Sequence, residues 1–155
     1  MATYSFDTSV IINGRRDLLP PNVFLSPWAR MEDMIAAGDI QCTDVVRDEL
    51  IRRDDDACNW AKAQDGLFLP LTEELQAKTA EVLAVHPRLT GKGGGRNMAD
   101  PFVIGLAMTF TGGVVVTEEI QTGNLTKPRI PDVCNALGVR WVNLVGFITE
   151  QGWQF

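Results

Sequence analysis

The chain has one histidine, His86, which stands beside Pro87 at the end of a predicted helix. A nuclease mechanism built on a histidine pair is therefore excluded. A histidine-dependent Ser or Cys triad would have to use His86 itself. Cysteine is also scarce: Cys42, Cys58 and Cys134 are odd in number and show no CxxC spacing. They read as small buried hydrophobes with free thiols, which suits a reducing cytoplasm. No apolar run approaches the roughly 20 residues that cross a bilayer. The opening MATYSFDTSVIING lacks the basic start and long apolar stretch of a signal peptide. No membrane partner is expected. There is no basic excess either. The net charge of −6 does not by itself advertise nucleic-acid binding, although active-site carboxylates would inflate the acidic total. Local cations remain at Arg15-Arg16, Arg52-Arg53, Lys92, Arg96, Lys127 and Arg129. GKGGGRN superficially looks like a phosphate loop but lacks the GxxxxGK[ST] order.

The 155 residues, 45% of them hydrophobic and 22% charged, make one globular domain over 1–155 with enough apolar mass for a core. Strands and helices alternate. Residues 3–7 read as a strand ending at an aspartate, with Thr8-Ser9 as cap hydroxyls for a short helix that Asn13-Gly14 closes. Ser26-Pro27 opens a helix that stops near Gly38. Residues 40–43 form a second strand, and Asp44 caps the helix VVRDELIRR. A helix over ACNWAKAQ and the apolar segment LFLPL follow, and Thr72 starts the next helix. ADPFVIGLAMTF reads as an apolar helix ended by Gly112-Gly113. Residues 114–117 form a buried strand, PDVCNALG a helix, residues 140–144 the last strand, and GFITEQG a short final helix. This order predicts an α/β/α sandwich around a central, mostly parallel sheet.

Four acidic residues fall where the chain leaves a strand or enters a helix: Asp7, Glu49, Asp100 and Glu119. Ligands of such sheets bind beyond the carboxyl ends of the strands. Converged carboxylates repel each other unless something positive sits among them, and a hard divalent cation with a preference for oxygen is the usual solution. Asp100 begins a very apolar helix, so a partner is needed there most. Glu118 competes with Glu119 for the fourth place. Asp132 is a further acid whose expected task is capping the helix after Pro131. Lys92, Arg96 and Asn97, in the glycine-rich stretch before Asp100, are candidate contacts to a phosphate backbone. Trp28, Trp60, Trp141 and Trp153 could stack on bases, but core positions are the simpler expectation.

Four segments together carry a resemblance. YSFDTSVI resembles the opening of PIN-domain nucleases, DVVRDEL their second motif, ADPFVIGLA their third and VVVTEE their fourth. KPRIPDVCNALGVRWVNLVGF is similar to the closing helix–strand unit of that family. The order matches over nearly the whole chain. The resemblance implies a Mg²⁺- or Mn²⁺-dependent endoribonuclease that leaves 5′-phosphate and 3′-hydroxyl ends. It implies metal-binding and catalytic roles for Asp7, Glu49, Asp100 and Glu119, and hydroxyl positions at Thr8 and Thr117. It also implies the toxin of a bacterial toxin–antitoxin pair of the VapC type, with RNA as substrate, an antitoxin protein as partner and a possible homodimer. A glutamate at the fourth acidic position departs from the commonest pattern, and its longer side chain reaches a metal from farther back. Two other readings compete: a catalytically silent protein-binding module on the same fold, and an acidic-pocket phosphatase-like enzyme. Asp-Thr-Ser lacks the second aspartate that aspartyl-phosphate phosphatases place two residues on.

Overall fold

The structure, a computed structural model, describes residues 2–53, 55–90 and 98–155. Strands β1 (Tyr4–Phe6), β2 (Ile40–Thr43), β3 (Phe68–Leu69), β4 (Val114–Val116) and β5 (Arg140–Val142) form one sheet in the order β3-β2-β1-β4-β5. Every pairing is parallel. The helices are α1 (Thr8–Asn13), α2 (Leu25–Ala37), α3 (Asp44–Ile51), α4 (Asp56–Lys62), α5 (Glu73–Val85), α6 (Asp100–Met108), α7 (Ile130–Leu137) and α8 (Leu144–Gln151). The fold is the expected α/β/α sandwich.

The alternation of β1 shows both layers. Tyr4 and Phe6 point one way and meet the Phe147 ring of α8 edge-on, at centroid distances of 4.7 and 5.3 Å. Ser5 points the other way and donates to the Val103 carbonyl of α6 at 2.7 Å. A parallel sheet covered on both faces needs continuous apolar strands, and Val114, Val115 and Val116 are all fully buried. Helix α6 packs tightly on α5 because residue 105 is glycine. A Cβ there would stand 2.5 Å from the Thr79 hydroxyl and 3.0 Å from the Thr79 backbone nitrogen.

β1 lies between β2 and β4 in register, Tyr4 opposite both Ile40 and Val114. The chain winds from β1 toward β3 on one side and later returns to β4 and β5 on the other. The carboxyl ends of β1 and β4 therefore border the topological switch point, where ligands of doubly wound sheets bind.

Several local expectations are corrected. Thr8 and Ser9 do not cap α1: its cap position is Asp7, and both hydroxyls are used elsewhere. Helix α1 ends at Asn13 with Gly14 at its C-cap position, as expected, but the chain goes straight on as π-helix over Gly14–Leu18. Helix α2 begins at Leu25, one residue ahead of Ser26, with Phe24 at the cap position. Thr43, not Asp44, caps α3, its hydroxyl accepting from the Val46 amide. Helix α6 stops at Met108, before Gly112-Gly113. Thr117 lies just outside β4, and Leu144 opens α8 instead of closing β5. The segment LFLPL contributes β3, an edge strand that Pro70 cuts short. Among the described residues, no helix is long and apolar enough to cross a membrane.

Candidate active site

Asp7 leaves β1 directly into the switch-point crevice. Its backbone amide continues the pairing with β4, donating to the Val116 carbonyl at 2.9 Å. The side chain is only 3% exposed, and one oxygen, Oδ2, takes two hydroxyl donors. Ser9 Oγ donates at 2.6 Å and Thr117 Oγ1 at 3.0 Å. Each hydroxyl also accepts a backbone amide, Glu118 N–H to Ser9 and Glu119 N–H to Thr117. With the amides as donors, both hydroxyl protons are directed at Asp7. These bonds fasten the chain after β4 to the chain after β1, and among the described residues Asp7 Oδ1 takes no side-chain donor. The sequence gives Ser9 a helix-cap role and no place in the site. Its signal was the Asp-Thr-Ser run itself, which looked like ordinary helix-cap chemistry.

Glu49, two residues before the end of α3, is half-buried. Its Oε2 accepts from Thr8 Oγ1 at 2.7 Å and its Oε1 from the Ala99 amide at 3.2 Å. It thereby ties the start of α1 to the entry of α6. Asp100, the first residue of α6, is 5% exposed. Glu119 follows the β4 end, and its Oε1 accepts from the Ile130 amide at the start of α7 at 3.1 Å. Its neighbour Glu118 is directed elsewhere, accepting from the Leu144 amide at the start of α8 at 2.7 Å. The geometry thus puts Glu119 with the other acids and gives Glu118 a helix-capping task. Asp132 accepts from the Arg129, Thr122 and Gly123 amides and from the Thr122 hydroxyl. It caps α7, as expected, and also fixes the loop between Glu119 and that helix. Lys92, Arg96 and Asn97 lie outside the described residues. Trp28 and Trp60 are buried and meet edge-on, so neither presents a face for base stacking.

The four carboxyls respond to one another electrostatically. Burial, then the charges of Asp7, Glu119 and Glu49, push Asp100 up to about 10, against an opposing pull from Arg129. Burial, then Asp7, push Glu119 up to about 7. Burial raises Asp7 in spite of the bonds from Ser9 and Thr117, and raises Glu49 in spite of those from Thr8 and Ala99. Such a cluster holds protons tightly or gathers a cation.

A family model described as a domain of unknown function, DUF4411, matches residues 4–155. The chain belongs to this DUF4411 family. A comparison with curated proteins finds no match.

The donor set discriminates among cations. All four carboxyls offer hard oxygen, and no ring nitrogen accompanies them: His86 stands at the end of α5. The nearby thiols are poor ligands, because burial, then the charge of Glu119, push Cys134 up to about 12. Burial, then the charge of Asp7, likewise raise Cys42. An all-oxygen set suits Mg²⁺ or Mn²⁺ over Zn²⁺ or copper. As the side chains stand, no group of three or more His, Cys, Asp or Glu among the described residues could hold a metal ion. The site is an acidic pocket and not a finished cage. Mg²⁺ tolerates this, since it keeps several waters and takes one or two carboxylates with substrate oxygens.

Proposed function

We propose that this chain is a metal-dependent endoribonuclease that hydrolyses RNA phosphodiester bonds. The observation that carries the proposal is the buried Asp100 carboxyl within reach of the charges of Asp7, Glu119 and Glu49: burial first, then those charges, push it up to about 10. The resemblance of the four surrounding motifs to PIN-domain nucleases supports the same reading. One or two of the carboxylates Asp7, Glu49, Asp100 and Glu119, with waters and substrate oxygens, would hold Mg²⁺ or Mn²⁺. When bound, such an ion supplies Lewis acidity, activating water and offsetting phosphate charge.

The chain's own residues prepare this. Ser9 and Thr117 fix Asp7 through one oxygen and orient the other. Thr8 and the Ala99 amide hold Glu49 at the mouth of α6. The Ile130 amide, at the positive end of α7, turns Glu119 inward. No histidine is needed as acid or base in this reading, which suits a chain whose one histidine, His86, stands at the end of α5. The reading extends, on the resemblance, to a cytoplasmic toxin of a toxin–antitoxin pair, restrained by an antitoxin protein and possible as a homodimer.

The test is cleavage of a labelled single-stranded RNA. Cleavage is expected with Mg²⁺ or Mn²⁺ and none in EDTA, and products should carry 5′-phosphate ends. Asp7→Asn should lower the rate by ~100-fold or more, since even indirect supports of metal ligands are worth about 10–100-fold. On the toxin reading, expression of the wild-type chain should arrest growth, and the same variant should relieve that arrest. Metal-independent cleavage, or full activity in Asp7→Asn, would defeat the proposal.

Ser9→Ala is expected to be milder. It leaves the Glu118 amide without its acceptor and Asp7 with one hydroxyl donor in place of two. The rate should fall about 10-fold at saturating metal, with a weaker apparent metal affinity. An unchanged metal titration would show that Ser9 only packs.

A further inference from the structure

The acidic pocket explains how an ion is held but not how a polyanion is held beside four carboxylates. Two described cations address that. Arg129 is the residue before α7, and its backbone is fixed on both sides: its own amide donates to Asp132 Oδ2 at 2.9 Å, and the next amide, Ile130, donates to Glu119 Oε1 at 3.1 Å. Its root is therefore held at the edge of the pocket. Arg52 follows α3 by one residue, three positions after Glu49, so the two share a helix face. The charges of these arginines are felt inside the pocket: Arg129 favours ionised Asp100 and Glu119, and Arg52 favours ionised Glu49.

Both side chains are exposed. Neither takes part in an ion pair among the described residues, whereas the adjacent Arg53 is paired with Asp55. Arg15, Arg16 and Arg140 are likewise paired. The sheet order sets the two apart. Arg52 comes after β2 and Arg129 after β4, and these strands lie on opposite sides of β1, which Asp7 follows directly.

We infer that Arg52 and Arg129 are phosphate-binding residues that grip the backbone of single-stranded RNA on either flank of the acidic pocket. Guanidinium suits this task because its planar fork meets two phosphate oxygens at once and never loses its charge. Phosphate contacts of this kind position a strand without reading its sequence. The inference rests on the nuclease reading, since without an RNA substrate the clamp has nothing to hold.

The test is fluorescence anisotropy of the full chain with a fluorescein-labelled single-stranded RNA. Ca²⁺ replaces Mg²⁺ to suppress cleavage, and NaCl is varied from about 50 to 300 mM, a range over which counterion release dominates affinity. Each of Arg52→Gln and Arg129→Gln should make the slope of log affinity against log salt shallower by about 0.7, and the double variant by about 1.4. Arg129→Lys should keep the wild-type slope and bind several-fold more weakly, because it retains charge and loses the fork. Thermal melting of each variant identifies any loss that comes from unfolding, and for a variant that fails to fold the Lys substitution carries the result. Wild-type binding and cleavage with unchanged slopes in both Gln variants would overturn the clamp and leave the nuclease reading standing. Absence of both RNA binding and cleavage by the wild-type chain would overturn the two together.

Discussion

Asp100→Asn is expected to abolish RNA cleavage and at the same time to make the metal-free protein more stable. The two effects share a cause. Asp100 is 5% exposed, begins a helix and is raised to about 10 by burial and then by Asp7, Glu119 and Glu49. At pH 8 the unfolded chain carries this carboxyl ionised, so folding must either take up a proton or bury a charge among like charges. Asparagine has nearly the same shape and avoids both costs. With a pKa raised from 3.8 to about 10, and allowing generously for relaxation, the gain should be on the order of 2–4 kcal/mol at pH 8. For a chain of 155 residues that corresponds to roughly 4–16 °C in Tm. Cleavage should fall by ~100-fold or more, beyond the usual loss from altering a support of a metal ligand. Differential scanning calorimetry in EDTA and an RNA cleavage assay in Mg²⁺ measure the two halves separately. A structural aspartate would behave oppositely, losing stability on substitution and retaining activity in the folded fraction. Destabilisation at pH 8 without metal would therefore remove Asp100 from the site.

Asp7, Asp100 and Glu119 stood out because each sits at a predicted boundary between elements, whereas Glu49 lies inside α3 and stood out only through its motif. What the sequence hid was local. Strand β3 has two residues and is followed by Pro70, too short for any alternation to register. Thr43 and Asp44 are both good caps, and only the backbone decides which hydroxyl or carboxyl meets the Val46 amide. Glu118 and Glu119 are adjacent and chemically alike. Their separation depends on two helix starts, at Ile130 and Leu144, that are 11 and 26 residues away from their respective acceptors. Ser9 was hidden for the opposite reason: a hydroxyl after a strand-ending aspartate has an obvious local explanation as a cap, and the actual use of its oxygen joins residues 109 positions apart. Long-range hydrogen bonds leave no periodic trace in a sequence.

The second large effect is a metal-dependent stability that grows with pH. Asp100 and Glu119 have folded values raised to about 10 and about 7, and Asp7 and Glu49 are raised as well. For a carboxyl raised on folding, the native state binds more protons than the unfolded state between the two values. Its contribution to stability is fully present below the unfolded value and is lost as pH rises through the folded one. The metal-free protein should therefore lose stability steadily between pH 5.5 and 8.5. Asp17, Asp55, Asp132 and Glu150 are lowered, so their opposite contribution is already complete below this window. A divalent cation competes with the protons for the same oxygens. Millimolar Mg²⁺ or Mn²⁺ should raise Tm far more at pH 8.5 than at pH 5.5, and a metal at 100-fold its Kd stabilises by about 2.7 kcal/mol. In Asp100→Asn both the pH slope and the metal response should shrink together, a comparison in which the unrelated titrating groups cancel. A metal response of equal size at both pH values, or one that survives intact in Asp100→Asn, would place the ion away from these carboxyls and leave the acidic pocket without its cation.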